Sequence, residues 1–224
     1  MCKDDDKNKD SEAYKDAFRK PRELLQFAGL QPNAKVLDVC TGFGYLAKHA
    51  ALMTGHNVVV DAHNGLEWKP FFQSVGIDQD ALPAMRRAGV HHYYAPLQNP
   101  ILPGHDHDYY DLVMMQNTYH DLYDMPVNRL QFLVALRRAV KRQGGKLLLV
   151  DHCAAPGCGS RDAGANRGLH RIEEVTVRAE LAASGWRIVA TSDLLRCATD
   201  NYRQSAWTHP MRETDRFVLL CEPM

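Results

Sequence analysis

Residues 35–47, KVLDVCTGFGYLA, decide the fold. Val36, Leu37 and Val39 form an apolar run with Asp38 inside it, and the run meets the turn Thr41-Gly42-Phe43-Gly44. A helix-like stretch, 45–52, follows at once. Strand, glycine turn and helix in this order make the nucleotide pocket of an α/β sheet, because glycine lets the backbone turn tightly and approach a ligand.

The chain beyond that turn alternates strands with helices. Apolar runs predict strands at 35–40, 57–61, 90–96, 111–115, 146–151, 187–192 and 217–221. Between them, 70–75 and 78–88 read as short helices, and 127–141 is amphipathic, with Leu130, Leu133, Leu136 and Val140 three or four residues apart. A further helix is expected at 172–184. Near the start, Ser11 caps a helix over 11–29 that Pro21 breaks in two. No helix separates the last two strands, so they should pair antiparallel. The expectation is an α/β, Rossmann-like, seven-stranded and mostly parallel sheet with an antiparallel last strand and helices on both faces.

The 224 residues suit a single domain, 11–224, behind a disordered polar tail, 1–10. The segment 11–30 reads as a helical cap, and 154–170 and 196–213 as lid loops. Lys+Arg and Asp+Glu both number 27, which removes the electrostatic case for a nucleic-acid binder. No run reaches the ~18 apolar residues of a membrane span, and MCKDDDKNKD lacks the apolar stretch of a signal peptide. Six scattered cysteines without paired CxxC spacing read as reduced thiols of a cytoplasmic protein. Homodimerisation is left open.

Gly42-Phe43-Gly44-Tyr45-Leu46-Ala47 satisfies the G-x-G-x-x-G/A pattern of NAD enzymes. Asp38, with the spacing D-x-C-x-G-x-G, favours another reading. It resembles motif I of class I S-adenosylmethionine-dependent methyltransferases, with Cys40 in place of the usual first glycine. FRKPRELLQFAGL, NTYHDLY, DHCA, LHRIEE and SDLLR with TDRFVL further resemble a bacterial group of predicted class I methyltransferases of unsettled substrate.

That resemblance implies S-adenosylmethionine as cofactor and a small molecule as methyl acceptor, through an oxygen, nitrogen or sulfur atom. It implies a cofactor site at Asp38, Cys40, Thr41, Gly42, Gly44 and Tyr45. Asp61, read as the end of the second strand, would take the ribose hydroxyls, Leu97 and Gln98 would flank the adenine, and Asn117 would hold substrate or cofactor. Methyl transfer from an activated sulfonium needs alignment and often a proton acceptor. His120, His152 and His170 fall near the carboxyl ends of the fourth and fifth strands, where an imidazole can serve as base. Asp121 and Glu174 are candidates to orient or charge-balance one of them, and Asp121 is also expected among the substrate contacts. Tyr14, Arg19, Arg171, Tyr202, Arg203 and Trp207 are candidates for the substrate wall, Arg19 for an anionic group. The three histidines could ligate a metal, but their separation in sequence gives that little support, and no metal is assigned. His105-Asp106-His107-Asp108 reads as a solvated loop, and Arg216 as an anchor for the last strand. Cofactor binding without methylation, and an NAD-dependent oxidoreductase, are the alternatives.

Overall fold

In a computed structural model of the chain, the described residues are 12–55, 58–164, 168–207 and 214–224. The expected tail, the Ser11 cap, Asn57 and the lid positions 165–167 and 208–213 lie outside them. The elements run α1 (Glu12–Arg19), α2 (Pro21–Phe27), β1 (Val36–Val39), α3 (Tyr45–Thr54), β2 (Val60–Gly65), α4 (Lys69–Ser74), α5 (Ala81–Arg87), β3 (His91–Ala95) and β4 (Leu112–Gln116). Then come α6 (Arg129–Ala139), β5 (Lys146–His152), α7 (Glu174–Ala183), β6 (Trp186–Ser192) and β7 (Arg216–Pro223). Short 3-10 helices cover Leu66–Trp68 and Tyr119–Asp124, the second of them unannounced by any periodicity.

Pro21 breaks the first helix as expected. It occupies the start of α2, where its missing N–H costs no bond, and Lys20 before it takes a left-handed φ of 46°. The seven strands form one sheet in the order β3-β2-β1-β4-β5-β7-β6. β7 is inserted antiparallel between β5 and β6, and the other pairings are parallel.

Strands β1, β4 and β5 are buried along nearly their whole length, so they read as continuous apolar runs. Side chains alternate between two cores. One joins Leu37, Val39, Val113, Leu147 and Leu149 to Phe132 and Leu136 of α6 and Leu181 of α7. The other joins Val36, Met114, Leu148 and Val150 to Leu24 and Leu25 of α2 and to Leu46 and Ala50 of α3. Helices therefore cover both faces. Among the described residues, no helix is long and apolar enough to cross a membrane.

Strand order reverses between β1 and β4. Chain leaving β1 turns toward β2, and chain leaving β4 turns toward β5, so a crevice opens at their carboxyl ends.

Candidate active site

The turn after β1 is held from within the sheet. Asp38 is buried, and its carboxylate accepts from Thr41 Oγ1 at 2.6 Å and from the Ala47 N–H at 3.1 Å. Asn64, buried in β2, accepts from the Gly42 N–H and donates to its carbonyl, both at 2.9 Å. Cys40 takes φ +56°, the left-handed region that glycine would occupy without strain. Gly42, at φ +60°, faces open space where a side chain would stand. Gly44 serves packing, since a Cβ there would lie 2.1 Å from the Met85 sulfur. The Cys40 thiol is pushed well up by burial and by the nearby Asp38, Asp121 and Glu67 carboxylates, so it stays a neutral, inert thiol.

Not every predicted cofactor residue faces that crevice. Tyr45 donates its hydroxyl to Asp16, and the Arg19 guanidinium lies 4.7 Å over its ring. Tyr45 thus docks the N-terminal helix onto the turn. Asp61 is a correction. β2 does not end there but runs on to Gly65, so Asp61 is its second residue. Its carboxylate is already bonded to His91 Nδ1 at 2.9 Å, His105 Nδ1 at 3.0 Å and Tyr110 Oη at 2.6 Å. It cannot serve a ribose. The same network half-buries His105, while Asp106, His107 and Asp108 are exposed, as the reading of a solvated loop expected.

The acidic residue just beyond the end of β2 is Glu67, which sequence reasoning missed. Its exposed carboxylate accepts from the Leu97 N–H at 3.1 and 3.2 Å, tying it to the segment expected beside an adenine. The available signal was its place directly after the strand. Leu97 is buried, while Gln98 spends its side-chain oxygen on the Asn128 N–H at 2.7 Å. At the end of β4, Asn117 has φ +57° and its N–H bonds Val150, and the neighbouring Gln116 Nε2 is buried with no partner among the described residues.

The three histidines do come together, joined by acids. His120, in the 3-10 helix after β4, is buried. Asp151 at the end of β5 accepts from its backbone N–H at 2.8 Å and bonds its Nδ1 at 2.6 Å. His120 Nε2 lies 3.2 Å from Asp121 Oδ1 and 3.3 Å from His170 Nδ1. His170, at φ +51°, is itself 2.9 Å from Asp121 Oδ1. Burial alone would lower the His120 imidazole, but Asp151 and Asp121 outweigh it and hold it up to about 10. Burial would raise Asp121, yet His120 and His170 hold its carboxyl below the usual range.

His152 differs. Its ring lies 6.0 Å from that of His120, and its Nδ1 is buried without a hydrogen-bond partner among the described residues. Burial, then His120, Arg216, Arg171 and Arg19, push it well below its ordinary value, so it is neutral. Arg216 pairs with His152 across the sheet and was expected only to anchor β7. It bonds the Phe18 carbonyl through Nη2 at 2.7 Å, but its Nε and Nη1 are buried without a partner among the described residues, as is Arg19 Nε. Burial, then Arg19, lower Arg216 to about 10. These donors beneath the N-terminal cap suit an anionic group.

Two substrate candidates are corrected. Arg171 is fully buried and saturated, with two bonds to Asp200 at 2.8 and 3.2 Å and others to the Cys153 and Gln204 carbonyls. Tyr202, in the lid loop itself, donates to Asp215 at 3.2 Å, and the Arg171 guanidinium lies 5.9 Å from its ring centre. Both fasten the lid rather than face a substrate. Arg203 is exposed, and Tyr14 packs edge-on against Phe18 in α1.

Trp207, 69% exposed, does face the site: its ring stacks on His170 at 5.7 Å. From Trp207, ring contacts run through Phe71 and Phe72 to Phe43 in the glycine turn, at 6.4, 5.5 and 5.9 Å. The turn and the histidine cluster are thus two sides of one aromatic-rimmed mouth. Phe43 and Phe71 were not singled out from sequence, although each is nearly half exposed.

No protein-family profile and no curated protein matches the chain. Solved structures do match. A SAM-dependent methyltransferase from Aquifex aeolicus aligns over 90% of this chain and 88% of its own, at 21% identity and TM-score 0.62. A putative sarcosine dimethylglycine methyltransferase from Galdieria sulphuraria aligns over 94% and 86%, at 16% and 0.61. The [4+2]-cyclase SpnF aligns over 96% and 84%, at 15% and 0.65. The chain has the Rossmann-like α/β fold of class I methyltransferases.

Proposed function

We propose that the protein is an S-adenosylmethionine-dependent methyltransferase acting on a small molecule. The observation that carries this reading is the Asp38–Gly44 turn at the strand-order reversal, open at Gly42 and flanked by acids. The residues fit the cofactor. Gly42 leaves room for close approach, and Glu67 stands where ribose hydroxyls would be received. The donors of Arg19 and Arg216 that lack a partner among the described residues suit a carboxylate, either the cofactor's own or one on the acceptor.

When bound, the cofactor supplies an activated methyl group. The protein's own task is to align the acceptor and accept its proton. Of the three histidines, His152 is assigned as the base on geometry: its Nδ1 is the ring nitrogen without a partner among the described residues, although burial makes it a weak base. His120, fixed through Nδ1 by Asp151, lines the acceptor side. Phe43, Phe71 and Trp207 suit an apolar or aromatic acceptor, and the balance of 27 basic and 27 acidic residues favours a small molecule over nucleic acid. The same fold in a [4+2]-cyclase favours one second reading, cofactor binding without methyl transfer.

Release of S-adenosylhomocysteine, assayed against a panel of phenols, amines and thiols, separates the two. His152→Ala should lower kcat by roughly 10²–10⁴-fold while leaving S-adenosylhomocysteine affinity within about threefold. Unchanged turnover in that variant would remove His152 as the base.

A further inference from the structure

We infer that His120, Asp121 and His170 form a binding site for one divalent first-row transition-metal ion, on the acceptor side of the mouth. His120 Nε2, Asp121 Oδ1 and His170 Nδ1 converge, separated by 3.2, 3.3 and 2.9 Å, and together they are a group able to hold a metal. Ligands at right angles about a metal, each ~2.1 Å from it, stand about 3.0 Å apart. Two imidazoles and one carboxylate on one face, with the remaining positions open, is a donor set suited to iron, manganese, cobalt or zinc rather than to calcium or magnesium.

The outer shell is in place. Asp151, fully buried, bonds the other nitrogen of His120 at 2.6 Å. It also accepts from the backbone N–H groups of His120 and His152, each at 2.8 Å. A carboxylate behind a ligating imidazole fixes its ring and leaves the lone pair of the far nitrogen facing the metal. Without a metal, Asp121 Oδ1 can accept from both ring nitrogens, at 2.9 and 3.2 Å, so metal titration decides between the two uses of the same atoms. His152 lies outside the triad, and Asp121 takes the place that the three-histidine idea gave it. The open positions face the aromatic mouth, where an oxygen-bearing acceptor would complete the shell. That last step alone rests on the methyl-transfer reading. The metal site itself does not.

The full chain, stripped with EDTA and titrated with Co²⁺, should show a visible absorption band that saturates at one equivalent. His170→Ala and Asp121→Ala should each abolish the band at that stoichiometry. Asp151→Asn should weaken binding by roughly 10–100-fold. His107→Ala, at an exposed histidine remote from the triad, should change nothing. Thermal melts establish that each variant folds, and His170→Gln and Asp121→Asn replace any that does not. No saturable band in the wild type, or a band that survives loss of His170, overturns the inference. S-adenosylhomocysteine binding on the same samples keeps the readings apart. Metal binding without it contradicts the cofactor assignment, and the reverse contradicts the metal site.

Discussion

Cys40 is the residue where this chain departs from a glycine-rich turn, and its conformation states what that costs. At φ +56° an L-residue carries about 1–2 kcal/mol of strain, while the buried thiol recovers part of it through packing. Cys40→Gly should therefore leave stability within ~1 kcal/mol and retain the cofactor site. Cys40→Val, β-branched in the same backbone conformation, should destabilise by ~2 kcal/mol or more, as urea unfolding would show; equal stability for the two variants would mean the strain is not there. Asp38 has a signature in pH. Burial raises its carboxyl to about 7, although its bonds from Thr41 and Ala47 pull the other way. Below ~3.9 both folded and unfolded chains hold this proton and the contribution is complete. As pH rises from there to about 7 the unfolded chain gives it up first, so stability is lost across that window. The difference in stability between wild type and Asp38→Asn should fall from pH 4 to 7 and then level off; parallel curves would contradict the assignment.

Among the elements, legibility followed hydrophobic pattern. β1, β4 and β5 are continuous apolar runs and were found within a residue or two. β2 misled because its second half, His63-Asn64-Gly65, is polar yet buried, with His63 bonded to the Ala95 carbonyl and Asn64 to the Gly42 backbone. Pattern reports apolar burial and is blind to polar residues that are buried through bonds to the backbone. The strand end therefore moved from Asp61 to Gly65, and the acidic residue beyond it became Glu67. The histidines were legible singly from their places after β4 and β5. Their division into a His120–Asp121–His170 cluster and a separate His152 depends on the short 3-10 helix and on the lid, which no period announces. The lid has its own buried strap, Arg171 with Asp200, both essentially without exposure. Truncating Arg171 to Ala leaves a carboxylate buried without its cation and should cost about 3–5 kcal/mol in denaturant unfolding. A loss under ~1 kcal/mol would show that the lid is held by other means.

For the whole molecule, the sheet order brings residues 40–44, 67, 97, 116–121 and 151–152 to one end, while α1 and the aromatic chain from Phe43 to Trp207 enclose that end from two sides. The sheet and its antiparallel β7 were readable from the missing last crossover. The acceptor was not, because recognition is divided among side chains far apart in sequence. The claim on which the rest depends is that the crevice at the β1 turn receives S-adenosylmethionine. Calorimetric titration of the full chain with S-adenosylhomocysteine, run beside NAD and repeated on Gly42→Val and Glu67→Ala, tests it most directly. One equivalent should bind the wild type, binding should fall at least about tenfold (~1.4 kcal/mol) in each variant, and NAD should give no heat. Absence of S-adenosylhomocysteine binding, or affinity untouched by both substitutions, would contradict the account.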